Sequence, residues 1–344
     1  MNICICGGGS LGHVCAGILA SQNNVKVKLF SGHPDNWGKT ITVFDPNGII
    51  YSGSIDLVSN DPSKVVPDSD IVFLCVPGFL IKKTLLSISP FIGNAVVGSV
   101  VSSTGFFFEA HSILGLNSKL FGFQRVPFIS RVHEYGKSAY LLGYKSELSM
   151  AVENIDDIES FRLMVERLWL TPTKVLSNFY SAALTNSNPI LHTGRLFSLF
   201  HQWDGTPLDH QILFYKEWTN EASRIILEMD MEFRFLLDNL GVTEKEVPSL
   251  LTYYKVSDPE SLTKKIQSIA AFDNILTPMI KKGEGWIPDF SSRYFTEDFP
   301  FGLKYIRDLI IARHLQNKMI EVVYSWGMKV CDKNLSTTLS GAPL

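Results

Sequence analysis

Ile3-Cys4-Ile5-Cys6-Gly7-Gly8-Gly9-Ser10-Leu11-Gly12-His13-Val14-Cys15-Ala16-Gly17-Ile18-Leu19-Ala20 is the stretch that decides the fold of the first half of this chain. Ile3 to Cys6 is an apolar run of strand length; it stops at glycines, and His13 to Ala20 reads as a helix. Strand, G-x-G-x-x-G and helix in that order is the context of a dinucleotide-binding turn. Gly7 permits the tight turn, Gly9 lets the backbone approach a pyrophosphate, and Gly12 lets helix pack closely on strand. Gly8, Ser10 and Leu11 complete the loop, and the helix N-terminus offers its N–H groups to the phosphates.

Outward from this turn, residues 25–30 alternate apolar and basic, as an outer strand would. NAD-preferring domains place an acid after this strand to hold the ribose hydroxyls, whereas this chain has Ser31-Gly32-His33-Pro34. Neutral Ser31 does not repel a 2′-phosphate, and His33 or Lys39 can approach one. The expected cofactor is therefore NAD(P), with a slight lean to NADP and NAD left open. Residues 41–44 and 49–51 read as a hairpin about Asp45-Pro46-Asn47-Gly48. Residues 70–77 form a continuous apolar run suited to a buried parallel strand, so Val76 and Pro77 are expected at the sheet's carboxyl edge, beside the cofactor. Runs at 94–100 and 119–123 end in Ser102-Ser103-Thr104-Gly105 and Gln124-Arg125-Val126-Pro127. A guanidinium at a strand end can grip a carboxylate in a bidentate manner, which makes Arg125 a substrate-side candidate. Residues 138–152 read as a strand pair closing the sheet and 155–168 as a helix covering it.

After about Tyr180 the pattern turns helical. In Asn188-Pro189-Ile190-Leu191-His192, Asn188 and His192 lie four apart and share one helix face. A histidine held beside an amide can exchange protons as a general acid/base. Trp218, Ala222, Ile225, Met229, Phe233, Leu236 and Leu240 recur at helical spacing up to Gly241, a suitable C-terminal cap. Shorter helices are expected at 249–254 and 260–272, and one long apolar face at 303–324. Between them, residues 286–302 are aromatic and carry Glu297 and Asp298 beside Pro300. Acids there can cap the next helix, or orient a histidine imidazole.

The composition is that of a globular protein: 344 residues, 45% hydrophobic and 19% charged, enough for two domains. A net charge of −3 without blocks of one sign offers nothing to nucleic acid or an acidic membrane surface. The five cysteines lie mostly in apolar runs with no zinc spacing, so no metal is expected and the thiols read as reduced core residues. No signal-like or spanning segment stands out, and the expected location is cytoplasmic.

Taken together, Gly7-Gly8-Gly9 with Gly12-His13, Asn188-x-x-x-His192, Trp203-Asp204-Gly205-x-Pro207 and Pro288-Asp289-Phe290 leading to Arg293-Tyr294-Phe295-Thr296-Glu297-Asp298-x-Pro300 resemble the octopine/nopaline dehydrogenase family of opine dehydrogenases. The resemblance implies an α/β plus all-α chain: an N-terminal Rossmann domain, 1–178, then a C-terminal helical domain, 179–344, with the active site in a cleft between them. It further implies reductive condensation of an amino acid with an α-keto acid such as pyruvate, through an imine, at the expense of NADH or NADPH. On the matching positions His192 is the acid/base, Asp298 its dyad partner and Asn188 a substrate-side hydrogen-bonding residue. Two positions depart from the pattern. Ser103 stands where some members have Gln, and Arg125 where the octopine-forming type has threonine; both lie where the keto acid would bind. The expected partners are small molecules, with a homodimer admitted. Two other readings fit the same layout: a reductase of the ketopantoate reductase or glycerol-3-phosphate dehydrogenase type, which uses no amine, and a non-catalytic NAD(P)H sensor.

Overall fold

The computed structural model describes residues 1–103 and 105–339, with side chains placed up to Cys331. The chain divides into two compact units, Met1–Thr185 and Asn186–Leu344.

The strands of the first unit are β1 (Asn2–Cys6), β2 (Lys26–Phe30), β3 (Thr40–Phe44), β4 (Ile50–Ser54), β5 (Leu57–Ser59), β6 (Ile71–Leu74), β7 (Val96–Ser99), β8 (Leu120–Phe123), β9 (Phe128–Glu134), β10 (Ser138–Tyr144), β11 (Leu148–Glu153) and β12 (Thr173–Val175). The main sheet runs β12-β11-β8-β7-β6-β1-β2-β5. From β5 to β8 the strands are parallel, in the order of a doubly wound Rossmann sheet. The strand order reverses between β1 and β6, which run parallel, so their carboxyl ends carry Gly7 and Val76 side by side. Ile3, Ile5, Phe73 and Phe121 are fully buried, which explains why these strands read as unbroken apolar runs.

A second sheet, β4-β3-β10-β9, covers helix Ser10–Ala20. That helix is buried from Gly12 to Leu19, and its small residues permit the approach: a Cβ on Gly17 would lie 2.4 Å from Val43 Cγ2. Three expectations change here. The strands of residues 138–152 do not pair with each other, because β10 joins the small sheet while β11 runs antiparallel to β8 in the main one. β9 was missed, its exposed alternate residues leaving only a weak pattern. β2 is not outermost, since β5 pairs along its far side.

The second unit is mainly helical, with helices Asn188–Phe200, Asn220–Asn239, Leu250–Tyr254, Pro259–Gln267, Lys304–Ala312 and Met319–Leu339, and one hairpin, β13 (Met279–Lys282) and β14 (Gly285–Pro288). The single helical face expected over 303–324 is two helices. His314 takes a positive φ of 54°, and the Glu232 carboxylate accepts the N–H groups of Lys318, Met319 and Ile320 at 2.8, 2.8 and 2.9 Å, capping a new helix start.

Asp230, buried in helix Asn220–Asn239, accepts the Leu250 N–H at 2.8 Å. Burial pushes its carboxyl up to about 6, against the Leu250 hydrogen bond, which pulls it down. A folded-state value above the unfolded one means that this group's contribution is fully present below about pH 4 and lost as pH rises through about 6. Asp230→Asn keeps an acceptor for Leu250 and removes the charge. Denaturant midpoints measured from pH 4 to pH 7 should show the variant gaining about 1–3 kcal/mol relative to the native chain; parallel curves would refute the assignment.

Candidate active site

In the second unit, helix Asn188–Phe200 is buried from Pro189 through Phe197, so its polar side chains must find partners inside. His192 finds two. Its Nδ1 lies 2.8 Å from Asp298 Oδ2 and its Nε2 lies 2.9 Å from Tyr215 Oη. A carboxylate only accepts, so Nδ1 carries the proton; Nε2 of the neutral ring then accepts the Tyr215 hydroxyl. Tyr294 packs on the imidazole with centroids 4.6 Å apart, and Phe214 meets it edge-on at 5.6 Å. Burial, followed by the neighbouring Asp298, raises the Tyr294 phenol above its ordinary value.

Asp298 is fixed from below. Phe295 and Phe299, both fully buried, stack at 5.8 Å on either side of it in sequence. Phe299 rests on Gly327, where a Cβ would come within 2.0 Å of its ring, and Gly302 rests on Pro189 of the histidine's helix. The turn itself is wide: the Leu303 N–H reaches back five residues to the Asp298 carbonyl at 2.8 Å.

Arg195, three residues beyond His192 and 1% exposed, donates from Nε to the Phe214 carbonyl (3.1 Å) and from Nη2 to the Glu217 carbonyl (2.7 Å), with its guanidinium 5.4 Å over the Trp218 ring. Burial pulls it down to about 10, which still leaves it charged at neutral pH. Arg195 thereby pins the segment that carries Tyr215. Asn188 sits one turn before His192, half-buried, its N–H taken by Asn186 Oδ1 at 3.2 Å. Arg293 is largely exposed and forks onto Glu297 at 2.7 and 2.8 Å. The sequence reading missed Tyr215, Tyr294 and Arg195 as members of this cluster. Arg195 alone left a signal, a charge inside an apolar helix.

The first unit holds the glycine turn. Gly7 has φ +122°, and a Cβ there would meet the Cys75 carbonyl at 2.6 Å; one on Gly12 would meet the Gly7 carbonyl at 2.0 Å. A Cβ on Gly9 meets nothing within 4 Å. Among the described residues no side chain caps helix Ser10–Ala20 and no acid lies in its first turn. Open space over Gly9 against an uncapped helix start fits a pyrophosphate. Gly8 is crowded instead: its Cβ would lie 2.8 Å from Tyr135 Oη and 3.0 Å from Ser31 Oγ. Ser31, where the ribose was expected, is buried and accepts the Trp37 indole N–H at 3.2 Å and the His33 N–H at 3.3 Å. His13 braces the turn, with Nδ1 2.9 Å from the Gly9 carbonyl and Nε2 accepting the Gly136 N–H at 2.7 Å. Val76 packs beside Gly7, and Pro77 caps helix Gly78–Ile88. Arg125 is exposed and donates to the Thr185 carbonyl at 3.0 Å; Ser103 is half-buried, and Thr104 lies outside the described residues.

Residues 175–331 match the NAD/NADP octopine/nopaline dehydrogenase alpha-helical domain. A tauropine dehydrogenase of Arabella iricolor is 27% identical, the match covering 96% of this chain and 91% of that one. The fold is shared with solved octopine dehydrogenase structures: with NADH and L-arginine, TM-score 0.83 at 22% identity, covering 96% of this chain and 89% of that one; with NADH and pyruvate, TM-score 0.81 at 22% identity and the same coverage.

Gly9→Ala and Gly12→Ala should separate binding from folding. The first leaves thermal stability within about 0.5 kcal/mol of native but weakens dinucleotide binding about tenfold or more, because the methyl fills the space the phosphates need. The second lowers the melting temperature by forcing backbone apart. Titration calorimetry with NADH and thermal melts of both variants check this; equal effects would refute it.

Proposed function

We propose that this chain, which belongs to the octopine/nopaline dehydrogenase family and is an NAD(P)-dependent oxidoreductase acting on CH–NH bonds, condenses the amino group of an amino acid with an α-keto acid and reduces the resulting imine. The observation that carries this reading is the Asp298–His192 pair at 2.8 Å inside the helical unit. A bound reduced nicotinamide supplies hydride, and the glycine turn with the open start of helix Ser10–Ala20 would hold its pyrophosphate.

The net reaction joins an amine to a ketone, releases water and takes up one proton. Water leaves the carbinolamine only if its hydroxyl is protonated, which needs an acid near the carbon. Asp298 fixes the His192 tautomer and orientation, so the ring can take up that proton on Nε2 and deliver it. Tyr294 and Phe214 pack their rings against His192, and such aromatic walls would limit the water that reaches an imine beside it. Asn188, on the same helix, is assigned a substrate-side hydrogen bond, and Arg125 or Ser103 the keto-acid carboxylate. NADPH is the slightly preferred donor in this reading, since no carboxylate stands at Ser31 to repel a 2′-phosphate.

The test is loss of reduced-cofactor absorbance with purified protein, NADH against NADPH, over a panel of α-keto acids with and without amino acids. Oxidation is expected only when both are present. His192→Ala should lower kcat by about 10²–10⁴ with dinucleotide affinity unchanged. Oxidation with the keto compound alone would replace this reading with a simple ketone or hydroxy-acid reductase. Binding without oxidation of any combination would replace it with a sensor.

A further inference from the structure

Both ring nitrogens of His192 are engaged, Nδ1 by Asp298 and Nε2 by Tyr215 at 2.9 Å. With Asp298 holding one side, an imidazole so bound has neither a lone pair nor an N–H left for a substrate. We propose that Tyr215 is itself a catalytic residue, the hydroxyl that touches the substrate and through which His192 passes its proton. This rests on the acid/base reading of His192 above.

The alternative, a phenol that swings aside to expose Nε2, meets resistance from every neighbour. The Tyr215 ring stacks on Phe272 at 4.2 Å and lies parallel to Trp218, 7° off and 5.9 Å away. The carbonyls on either side of it, those of Phe214 and Glu217, are the two that hold the buried Arg195 cation. Moving Tyr215 by its backbone would strip that cation of its acceptors, at a cost a buried charge does not tolerate. Arg195 is therefore a positioning residue for the hydroxyl.

A phenol offers one donor and two acceptor sites, which suits a relay. Beside neutral His192 the hydroxyl donates to Nε2. Beside imidazolium it accepts from Nε2–H, and its own hydrogen turns outward. In the dehydration step the Tyr215 O–H bond breaks, its proton joins the carbinolamine hydroxyl, and the C–O bond breaks with its electron pair leaving as water. The nitrogen lone pair forms C=N, and the Nε2–H proton restores the Tyr215 O–H. The positive charge has moved from imidazolium to iminium, and nothing has been oxidised or reduced. Burial, then Tyr294, Tyr254 and Asp298, hold the phenol above its ordinary range, so Tyr215 serves as a hydroxyl and does not accumulate as phenolate.

The test compares native enzyme with Tyr215→Phe in amine-dependent oxidation of NADH or NADPH, whichever the native enzyme uses. The relay predicts kcat lowered about 10²-fold with KM for the keto acid within about threefold. It also predicts that the curved dependence of native kcat on deuterium fraction, the mark of two protons in flight, becomes linear. A variant with kcat within about threefold of native, or above it, overturns the relay and leaves His192 as the direct acid. Where Tyr215→Phe does not fold by circular dichroism, 3,5-difluorotyrosine at position 215 keeps ring and hydroxyl while making the phenol more acidic. A kcat that changes severalfold with that acidity supports the relay; one within about twofold of native overturns it. Native enzyme that oxidises neither NADH nor NADPH with any keto acid and amine overturns the functional reading itself, and the relay with it.

Discussion

The hydrogen bond from His192 Nδ1 to Asp298 joins residues 106 positions apart, and most of what is distinctive in the helical unit serves to hold it. A half-buried carboxylate keeps a 2.8 Å contact with a largely buried imidazole only if packing places both side chains. The placement is done by close contacts at small residues. Gly194 lets helix Asn188–Phe200 approach Ile226, Gly302 lets the Asp298 turn rest on Pro189, and Gly327 receives Phe299. A methyl at any of these would push one partner of the pair away from the other.

Elsewhere in the helical unit, charged side chains are answered by backbone. Arg195 spends its donors on two carbonyls, Glu232 accepts three N–H groups at a helix start, and Asp230 accepts one. The same economy orders the first unit, where His13 bridges the Gly9 carbonyl and the Gly136 N–H, tying the glycine turn to the β9–β10 hairpin. Polar groups in both units are thus structural fasteners first. Chemistry is left to the few whose second atom faces another functional group, as the Tyr215 hydroxyl faces His192.

The first unit was legible where local rules act alone. A parallel strand buried on both faces must be apolar throughout, and a turn with φ +122° whose Cβ would strike a carbonyl must be glycine, so β1, β6 and Gly7 stand out in the chain itself. Legibility failed where the choice of partner is long-range. Residues 138–153 carry strand patterns, yet nothing in them says that β10 pairs with β3 while β11 pairs with β8. The break at His314 was hidden for a like reason: its cap is supplied by Glu232, from another helix.

What the sequence by itself determined is the Rossmann-type first unit with its glycine turn, the helical second unit, and the histidine and aspartate marked by their motifs. Periodicity, glycine sterics and motif spacing are properties of neighbours in the chain, and so can be read from it. Only the tertiary structure decided what surrounds the histidine. Tyr215 lies in an irregular segment 23 positions from His192, and Tyr294 is 79 positions further still along the chain (294 − 215). Hydrogen bonds and ring contacts fall off within a few ångströms of space, whatever the distance in sequence, so the occupant of the imidazole's second nitrogen became visible only once the helices were packed.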